Sequence, residues 1–279
     1  MHSPKPQHIT GPNGRSLAYI RTESSRKEAL GIVFLPGFRS DMMGSKATFL
    51  EQQCIAADIP YLRFDYSGHG QSGGVFAELT LSDWLADVNF LLDHVATGTN
   101  IIIGSSMGGW LGLRLAQMRP ERVAAFIGIA AAPDFTRDIT ASLSDDHKRQ
   151  MAEKGYCEEP NDYSDEPYIF TRALIEDGEA HCILDGRIAY NGPVRLLQGM
   201  ADKDVVWQKA LRIERALTSP DCAVTLIEDG NHSLSRESDL ALLWGNVLEL
   251  SAKLNNTPAP SPAPDLHTVK IRSAAPEKA

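Results

Sequence analysis

Residues 100–110 have the sequence NIIIGSSMGGW, in which an apolar run is followed by small residues and then by a helical pattern. The run at 100–103 predicts a buried strand, and GWLGLRLAQM after it predicts a helix. Between them, residues 104–108 match the pattern G-x-S-x-G, which makes a tight turn and lifts a serine hydroxyl above a sheet. Ser106 is therefore the predicted nucleophile. The adjacent Ser105 is the alternative, but it lacks the flanking glycine pair in register.

Similar apolar runs lie on both sides of this stretch. Near-continuous apolar runs fit strands buried on both faces, and the amphipathic stretches between them fit helices. Their alternation predicts an α/β fold with a mostly parallel central sheet flanked by helices. The other runs are 31–37, 61–66, 123–133, 194–199 and 223–229, and the helical stretches are 81–95, 205–217 and 239–254.

The stretch 134–190 interrupts this alternation. It shows no strong strand pattern, and helices are predicted around 144–154 and 168–180. A helical insertion between two strands predicts a lid over the ends of the sheet. The stretch contains 14 acidic and 6 basic residues, and an ordinary solvated surface is the simpler explanation of that charge.

The carboxyl-terminal segment differs in composition from the rest of the chain. Residues 255–279 contain five of the 16 prolines and little apolar periodicity. Because proline has no N–H donor, this segment fits neither a helix nor a central strand. We predict one domain over residues 1–254, with the lid inserted at about 134–190, and a disordered tail at 255–279.

Composition excludes several classes of protein. A chain of 279 residues with 43% apolar and 23% charged residues is ordinary for a soluble globular protein. Its net charge of −9 disfavours binding to nucleic acid. The four cysteines form no C-x-x-C pair, and the longest apolar run is far shorter than the roughly 18 residues of a membrane span. The first residues show no apolar signal region, so a cytoplasmic location is expected, and the oligomeric state is left open.

A serine hydroxyl becomes a good nucleophile when a histidine takes its proton and a third group orients that histidine. In this architecture the acid and then the histidine follow the serine along the chain. Asp202 follows a predicted strand in VRLLQGMADKDVV, and His232 follows the last predicted strand in VTLIEDGNHSLS. We predict Asp202 as the orienting acid and His232 as the base, with Asp204 as the alternative acid.

The reaction also needs N–H donors for the oxyanion that develops on the attacked carbonyl. The backbone N–H of Met107, directly after the predicted nucleophile, is one candidate. The backbone N–H of Phe38, in the loop after GIVFLPG, is the second, although Pro-Gly-Phe could be a simple turn. The neighbouring Arg39 could pair with a substrate carboxylate, but a surface arginine bound to a lid carboxylate is the favoured interpretation. This chemistry requires no metal and no organic cofactor.

These motifs resemble those of the α/β-hydrolase-fold serine hydrolases over about residues 15–253. More narrowly, the chain is similar to the mitochondrial palmitoyl-protein thioesterases of that family, also described as acyl-glucuronide esterases. It lacks an Arg-rich amphipathic start and so looks like a bacterial-type relative. The resemblance implies the same triad of Ser106, Asp202 and His232. Asp65 belongs to the segment DYSGHGQS, a feature of the family, and is interpreted as a structural residue that ties this loop down. The segments that carry the resemblance are RFDYSGHGQSGG, GSSMGGW, RPERVAAFIGIAAAPDF and RLLQGMADKDVVW.

The resemblance implies hydrolysis of a medium or long acyl thioester, with S-acylated protein as one candidate substrate. The acidic lid is compatible with a basic protein surface and unfavourable to acyl-CoA, although salt screens such effects. A general carboxylesterase or an acyl-glucuronide esterase is the alternative, and a non-catalytic ligand-binding protein is disfavoured because the triad is intact. Apolar lid residues could line an acyl pocket, but a role in the lid's own core is favoured: Leu143, Met151, Tyr156, Tyr163, Tyr168, Ile169 and Phe170.

Overall fold

The computed structural model describes residues 4–26, 30–159 and 167–255. Eight of its strands form one sheet, and two others form a separate hairpin. The strands are β1 (Gln7–Thr10), β2 (Ser16–Thr22), β3 (Gly31–Leu35), β4 (Tyr61–Phe64), β5 (Asn100–Ser105), β6 (Val123–Ile129), β7 (Tyr156–Glu159), β8 (Tyr168–Thr171), β9 (Val194–Gly199) and β10 (Cys222–Ile227). The sheet order is β1-β2-β4-β3-β5-β6-β9-β10.

The strands from β4 to β10 in this order are parallel, whereas β1 and β2 join antiparallel at one edge. In a parallel sheet the carboxyl ends of the strands lie along one edge, where ligands and catalytic groups commonly gather. The loops after β3, β5, β9 and β10 therefore leave the sheet on the same side. These are the loops that contain the predicted site residues.

Helices cover both faces of the sheet. The α-helices of the described residues are α1 (Ser45–Ala56), α2 (Leu81–His94), α3 (Met107–Met118), α4 (Phe135–Ser142), α5 (Asp145–Lys154), α6 (Arg172–Ala180), α7 (Gln208–Ala216) and α8 (Glu237–Asn255). On β5, Ile102 packs in one cluster with α2 and α3, whereas Ile101 and Ile103 pack in another with α1 and α8. This burial on both faces explains the unbroken apolar runs of the parallel strands.

All six strands predicted from apolar runs are present, and four of them end two to four residues before the predicted limit. The α/β fold with a mostly parallel sheet is thus confirmed. The prediction missed β1 and β2, because their short sequences QHIT and SLAYIRT mix polar and apolar residues. Such mixed patterns are typical of antiparallel strands, which can have one solvated face.

The insertion between β6 and β9 contains α4, α5, α6 and the β7–β8 hairpin. The helix predicted around 144–154 is present as α5, but the prediction of one helix over 168–180 is wrong at its start. Residues 168–171 (YIFT) pair antiparallel with β7, because aromatic and β-branched residues favour a strand. Helix α6 begins only after Thr171, whose hydroxyl accepts a hydrogen bond from the Leu174 N–H at 3.1 Å.

The two ends of the insertion are fastened to each other by Asp134. Its carboxylate accepts hydrogen bonds from the N–H groups of Ile183 and Leu184, both at 2.9 Å. No helix among the described residues has the length and apolar character needed to cross a membrane. The predicted tail lies outside the described residues apart from Asn255, which ends α8.

Candidate active site

Ser106 occupies the sharp turn between the end of β5 and the start of α3. Its φ of 53° and ψ of −118° lie in a region that residues other than glycine rarely adopt. The turn is held in place by β6 and the loop after it, since Ser106 donates its N–H to Ile129 at 2.9 Å and accepts from Ala132 at 3.0 Å. The surrounding structure thus maintains a strained backbone at the predicted nucleophile.

Two glycines make this turn sterically possible. A Cβ atom on Gly104 would lie 2.2 Å from the carbonyl oxygen of Gly108, and one on Gly108 would lie 2.1 Å from the carbonyl oxygen of Leu35. Neither backbone oxygen can move aside cheaply. The glycines of the G-x-S-x-G pattern are therefore required by close backbone approach, as the sequence predicts.

We expect Gly108→Ala to lower the free energy of unfolding by more than about 3 kcal/mol, because the new methyl group would overlap the β3 backbone. Gly245→Ala in α8 is the matched control, since its Cβ meets nothing within 4 Å. That change should raise the free energy of unfolding by up to about 1 kcal/mol through helix propensity alone. Urea unfolding of both variants measures the difference, and equal midpoints would contradict the steric argument.

The structure brings Asp202 and His232 together across the loops after β9 and β10. His232 Nδ1 lies 2.9 Å from Asp202 Oδ2, and the Asp202 side chain is fully buried. Burial acts to raise the pKa of the Asp202 carboxyl, but the hydrogen bond and charge of His232 and two backbone N–H groups outweigh it, so the pKa lies below its ordinary value. An ionised carboxylate only accepts, so Nδ1 carries the proton and Nε2 is the basic nitrogen.

Four N–H donors surround the Asp202 carboxylate. Oδ1 accepts from the backbone of Asp204 and Val205, both at 2.9 Å, while Oδ2 accepts from His232 and from the Gln198 amide at 3.0 Å. Ligand atoms of Asp202, Asp204 and His232 lie within 4.8 Å of one another, a spacing that could hold a metal ion. Because N–H donors already engage both Asp202 oxygens, the arrangement suits an orienting acid better than a metal ligand.

Asp204, the alternative acid, donates its backbone N–H to Asp202, and the acceptor for the N–H of His232 Nδ1 is the Asp202 carboxylate. Ser106 Oγ makes no hydrogen bond to His232 within the described part of the chain. In free enzymes the contact between nucleophile and base is often longer than a hydrogen bond. The geometry therefore unites the predicted acid and base and places the predicted nucleophile at the same sheet edge.

Two neighbours of this pair were not predicted. Gln198 is a buried polar residue in the apolar strand VRLLQG, which was the one signal the sequence offered. Lys46 on α1 donates through Nζ to the carbonyl of Ser233, directly after His232. Burial lowers the pKa of Lys46 to about 8. Its contact with the loop depends on a distant segment, and no local sequence pattern marks such a contact.

The loop after β3 lies against the serine turn. Leu35 is paired with Gly104 in the parallel ladder, and a Cβ atom on Gly37 would lie 3.3 Å from the Ser106 Cβ. Neither the Phe38 N–H nor the Met107 N–H has a hydrogen-bond acceptor among the described residues. Both backbone groups remain candidates for the oxyanion, in the places where the sequence predicts them.

The side chain of Phe38 lies in an aromatic cluster that links this loop to the insertion. Its ring stacks on Phe170 at a centroid distance of 5.5 Å and contacts Tyr168 at 5.9 Å. Phe170 is buried, and Leu143, Met151 and Tyr168 pack against the main core. The packing interpretation of these insertion residues is thus supported, while Tyr163 lies outside the described residues.

Arg39 contacts the insertion through a carbonyl group. Its Nη1 donates to the Pro167 carbonyl at 3.2 Å, and the guanidinium lies 5.2 Å from the centroid of the Phe76 ring. Asp65 accepts from the Met42 N–H at 2.7 Å and from the Gln71 N–H at 2.8 Å. These bonds agree with the prediction that Asp65 ties its loop down.

Sequence comparison supports the same conclusion about the fold. Residues 32–243 match the family described as the alpha/beta hydrolase family. The chain belongs to this family. The expectation of an α/β-hydrolase-fold hydrolase is therefore confirmed.

The relatives within the alpha/beta hydrolase family are similar over most of their length. A mouse protein named palmitoyl-protein thioesterase ABHD10, mitochondrial, is 39% identical over 241 residues, which cover 86% of this chain and 80% of the mouse protein. The solved structure of mouse alpha/beta hydrolase domain-containing protein 10 superposes with a TM-score of 0.82 at 38% identity, covering 90% of this chain and all of that one. A solved chain from Agrobacterium vitis S4 gives a TM-score of 0.85 at 41% identity, covering 88% and 98% of the two chains.

Proposed function

We propose that this hydrolase cleaves acyl thioesters or carboxylic esters through an acyl-enzyme, with Ser106, His232 and Asp202 as its catalytic triad. One observation carries the proposal: the buried Asp202 carboxylate lies 2.9 Å from His232 Nδ1 and leaves Nε2 basic. The strained Ser106 turn of an alpha/beta hydrolase lies at the same sheet edge. These are the parts that nucleophilic acyl transfer requires.

In the first half of the reaction, Ser106 Oγ attacks the carbonyl carbon of the substrate. His232 Nε2 accepts the hydroxyl proton, and the Asp202 carboxylate stabilises the imidazolium that results. The negative charge that develops on the carbonyl oxygen is stabilised by the backbone N–H groups of Phe38 and Met107. His232 then returns the proton to the leaving thiol or alcohol, and the acyl group stays on Ser106.

In the second half, water attacks the acyl-enzyme. His232 Nε2 removes a proton from that water, and the same two N–H groups stabilise the second tetrahedral intermediate. As the intermediate collapses, His232 gives that proton to Ser106 Oγ, which releases the free acid and regenerates Ser106. Every proton moves through His232, and this mechanism involves no metal ion or organic cofactor.

We further propose a long acyl thioester, with S-acylated protein as one candidate, as the preferred substrate. The name of the mouse relative supports this choice, and the aromatic side chains that meet Phe38 give an apolar environment next to the reacting carbonyl. Residues 134–190 are proposed as the lid of a domain spanning 1–254. The cytoplasmic location remains a sequence-based prediction, since the name of the mouse relative includes mitochondrial.

A matched set of substrates tests this proposal. We expect kcat/KM for a palmitoyl thioester to exceed that for the acetyl thioester with the same leaving thiol by at least tenfold. Burial of only two additional methylenes is worth about 1.6 kcal/mol, which is slightly more than a factor of ten. The palmitoyl oxygen ester isolates the leaving group at constant chain length, and Ser106→Ala supplies the blank rate.

The outcomes separate the candidate functions. A preference for the acetyl thioester would contradict the long-chain substrate and support a general carboxylesterase. A preference for the palmitoyl oxygen ester would assign an esterase with a long acyl pocket. Equal rates for the enzyme and the Ser106→Ala blank on all three substrates would contradict the catalytic proposal itself.

A further inference from the structure

His69 lies on the loop after β4, directly behind the turn that contains Phe38. We call residues 36–40 the oxyanion turn. The His69 residue is 4% exposed, and its two ring nitrogens bond to two different loops. Nδ1 lies 3.1 Å from the carbonyl oxygen of Ser67, and Nε2 accepts the backbone N–H of Arg39 at 3.2 Å. The imidazole therefore connects its own loop with the oxyanion turn.

These partners fix the protonation of the ring. The Ser67 carbonyl only accepts hydrogen bonds, so Nδ1 carries the proton, and the lone pair of Nε2 faces the Arg39 N–H. Burial lowers the pKa of His69 to about 4, which keeps the ring neutral near pH 7. The rings of Tyr66, Phe76 and Trp84 surround it at centroid distances of 5.5, 5.0 and 5.3 Å, and this packing leaves the imidazole little freedom to turn.

The oxyanion turn has a backbone that needs such support. Arg39 has a φ of 54°, a left-handed conformation that costs free energy in a residue with a side chain. Within the turn, the Gly37 carbonyl accepts the Ser40 N–H at 3.1 Å. The peptide group between Gly37 and Phe38 is trans, so its N–H, which belongs to Phe38, points away from the Gly37 carbonyl.

The peptide groups on either side of it, 36–37 and 38–39, are hydrogen-bonded to residues of the loop after β4. The Tyr66 hydroxyl donates to the Pro36 carbonyl at 3.2 Å, and His69 holds the Arg39 N–H on the other side. The peptide that carries the Phe38 N–H thus lies between two anchored peptides. If the bond to His69 were lost, Arg39 could relax to a negative φ. The peptide group between Phe38 and Arg39 would then rotate.

We propose that His69 is a positioning residue for catalysis, and that its Nε2 acceptor holds the oxyanion turn so that the Phe38 N–H stays aimed at the reacting carbonyl oxygen. This inference rests on the proposed function of Ser106. It assigns to the Gly-His-Gly segment a role in the reaction in addition to the loop-closing role expected from Asp65. The ring acts through the backbone of Arg39 and touches no substrate atom.

Two substitutions separate the two ring nitrogens. His69→Asn keeps an amide donor near the position of Nδ1 but leaves nothing at the position of Nε2, whereas His69→Gln can reach that position with its amide oxygen. Loss of one oxyanion donor lowers kcat by about 10²- to 10³-fold, and displacement of the donor should cost less, about 10- to 100-fold. We expect that loss of kcat in His69→Asn, a KM changed by less than about threefold, and kcat restored to within about fivefold of wild type in His69→Gln.

Inhibitor binding supplies a readout that a purely structural role would not move. An alkylboronic acid forms a tetrahedral anion on Ser106, whereas the corresponding fatty amide stays planar and neutral. His69→Asn should weaken the boronic acid by the same factor as kcat/KM and leave the affinity for the amide unchanged. His94→Asn is the matched control, because the His94 ring also bonds to a backbone carbonyl, that of Phe90. It should change neither inhibitor affinity, because this side chain is exposed at the end of α2.

The controls keep this inference separate from the proposed function. An inactive Ser106→Ala together with a fully active, folded His69→Asn would overturn the role of His69 and leave the triad proposal intact. A folded His69→Gln as slow as His69→Asn would also overturn it. Failure of both His69 variants to fold would make the contact a folding determinant and would equally contradict a positioning role, and thermal melting of each variant decides this.

Discussion

Replacement of Ser106 by alanine should lower kcat for thioester and ester substrates by at least about 10⁴-fold, because no acyl-enzyme can form without the hydroxyl group. Fold and substrate affinity should be retained, since the change only removes one oxygen atom from a half-buried turn. Alanine must still adopt the φ of 53° that serine adopts there. A fluorophosphonate probe should label the wild-type protein and fail to label this variant.

Ser105→Ala is the matched control for that experiment. Ser105 ends β5 and is the alternative serine within the same motif. Its hydroxyl has no role in the proposed reaction, so kcat should stay within about threefold of the wild-type value, as for most substitutions that touch no reacting group. Loss of labelling in Ser105→Ala together with retained labelling in Ser106→Ala would transfer the nucleophile to Ser105.

The sequence predicted the strands of the fold that are buried on both faces of the sheet. Strands such as β5 and β6 are covered by helices on both faces, so their sequences are apolar throughout and stand out from their surroundings. The hairpin of β7 and β8 was not predictable in the same way. Each of these strands has only four residues, and YCEE has no apolar alternation, so its extended conformation depends on pairing with β8.

The residues of the candidate site also fall into a predicted and an unpredicted group. Ser106, Asp202 and His232 follow from local motifs and from chain order, because strand ends in a parallel sheet share one edge. The contacts of Gln198, Lys46 and His69 do not. Lys46 and His69 bond to the backbone of distant loops, at Ser233 and Arg39. Gln198 bonds to Asp202 only four residues later, but that contact depends on the conformation of the loop after β9. Sequence patterns therefore identify candidate reactive groups more readily than they identify the groups that hold those candidates in place.

Asp202→Asn should lower kcat by about 10⁴-fold, because it places the proton on the wrong nitrogen of His232. Oδ1 of Asp202 accepts two backbone N–H groups, so the oxygen of the new amide would be retained at that position. Its nitrogen would then replace Oδ2 and donate to His232 Nδ1. Nε2 would carry the proton and could no longer accept one from Ser106, although the protein should remain folded.

Asp204→Asn is the control that separates geometry from charge. The Asp204 carboxylate lies in the same cluster as the Asp202 carboxylate and the His232 imidazole, so Asp204→Asn also removes one negative charge near the site. In the proposed mechanism His232 Nδ1 donates to Asp202, and Asp204→Asn should therefore keep kcat within about threefold of wild type. Equal losses in the two variants would mean that the site needs negative charge and not a fixed tautomer. A larger loss in Asp204→Asn would assign the orienting role to that residue, and its carboxylate would then have to approach Nδ1 during the reaction.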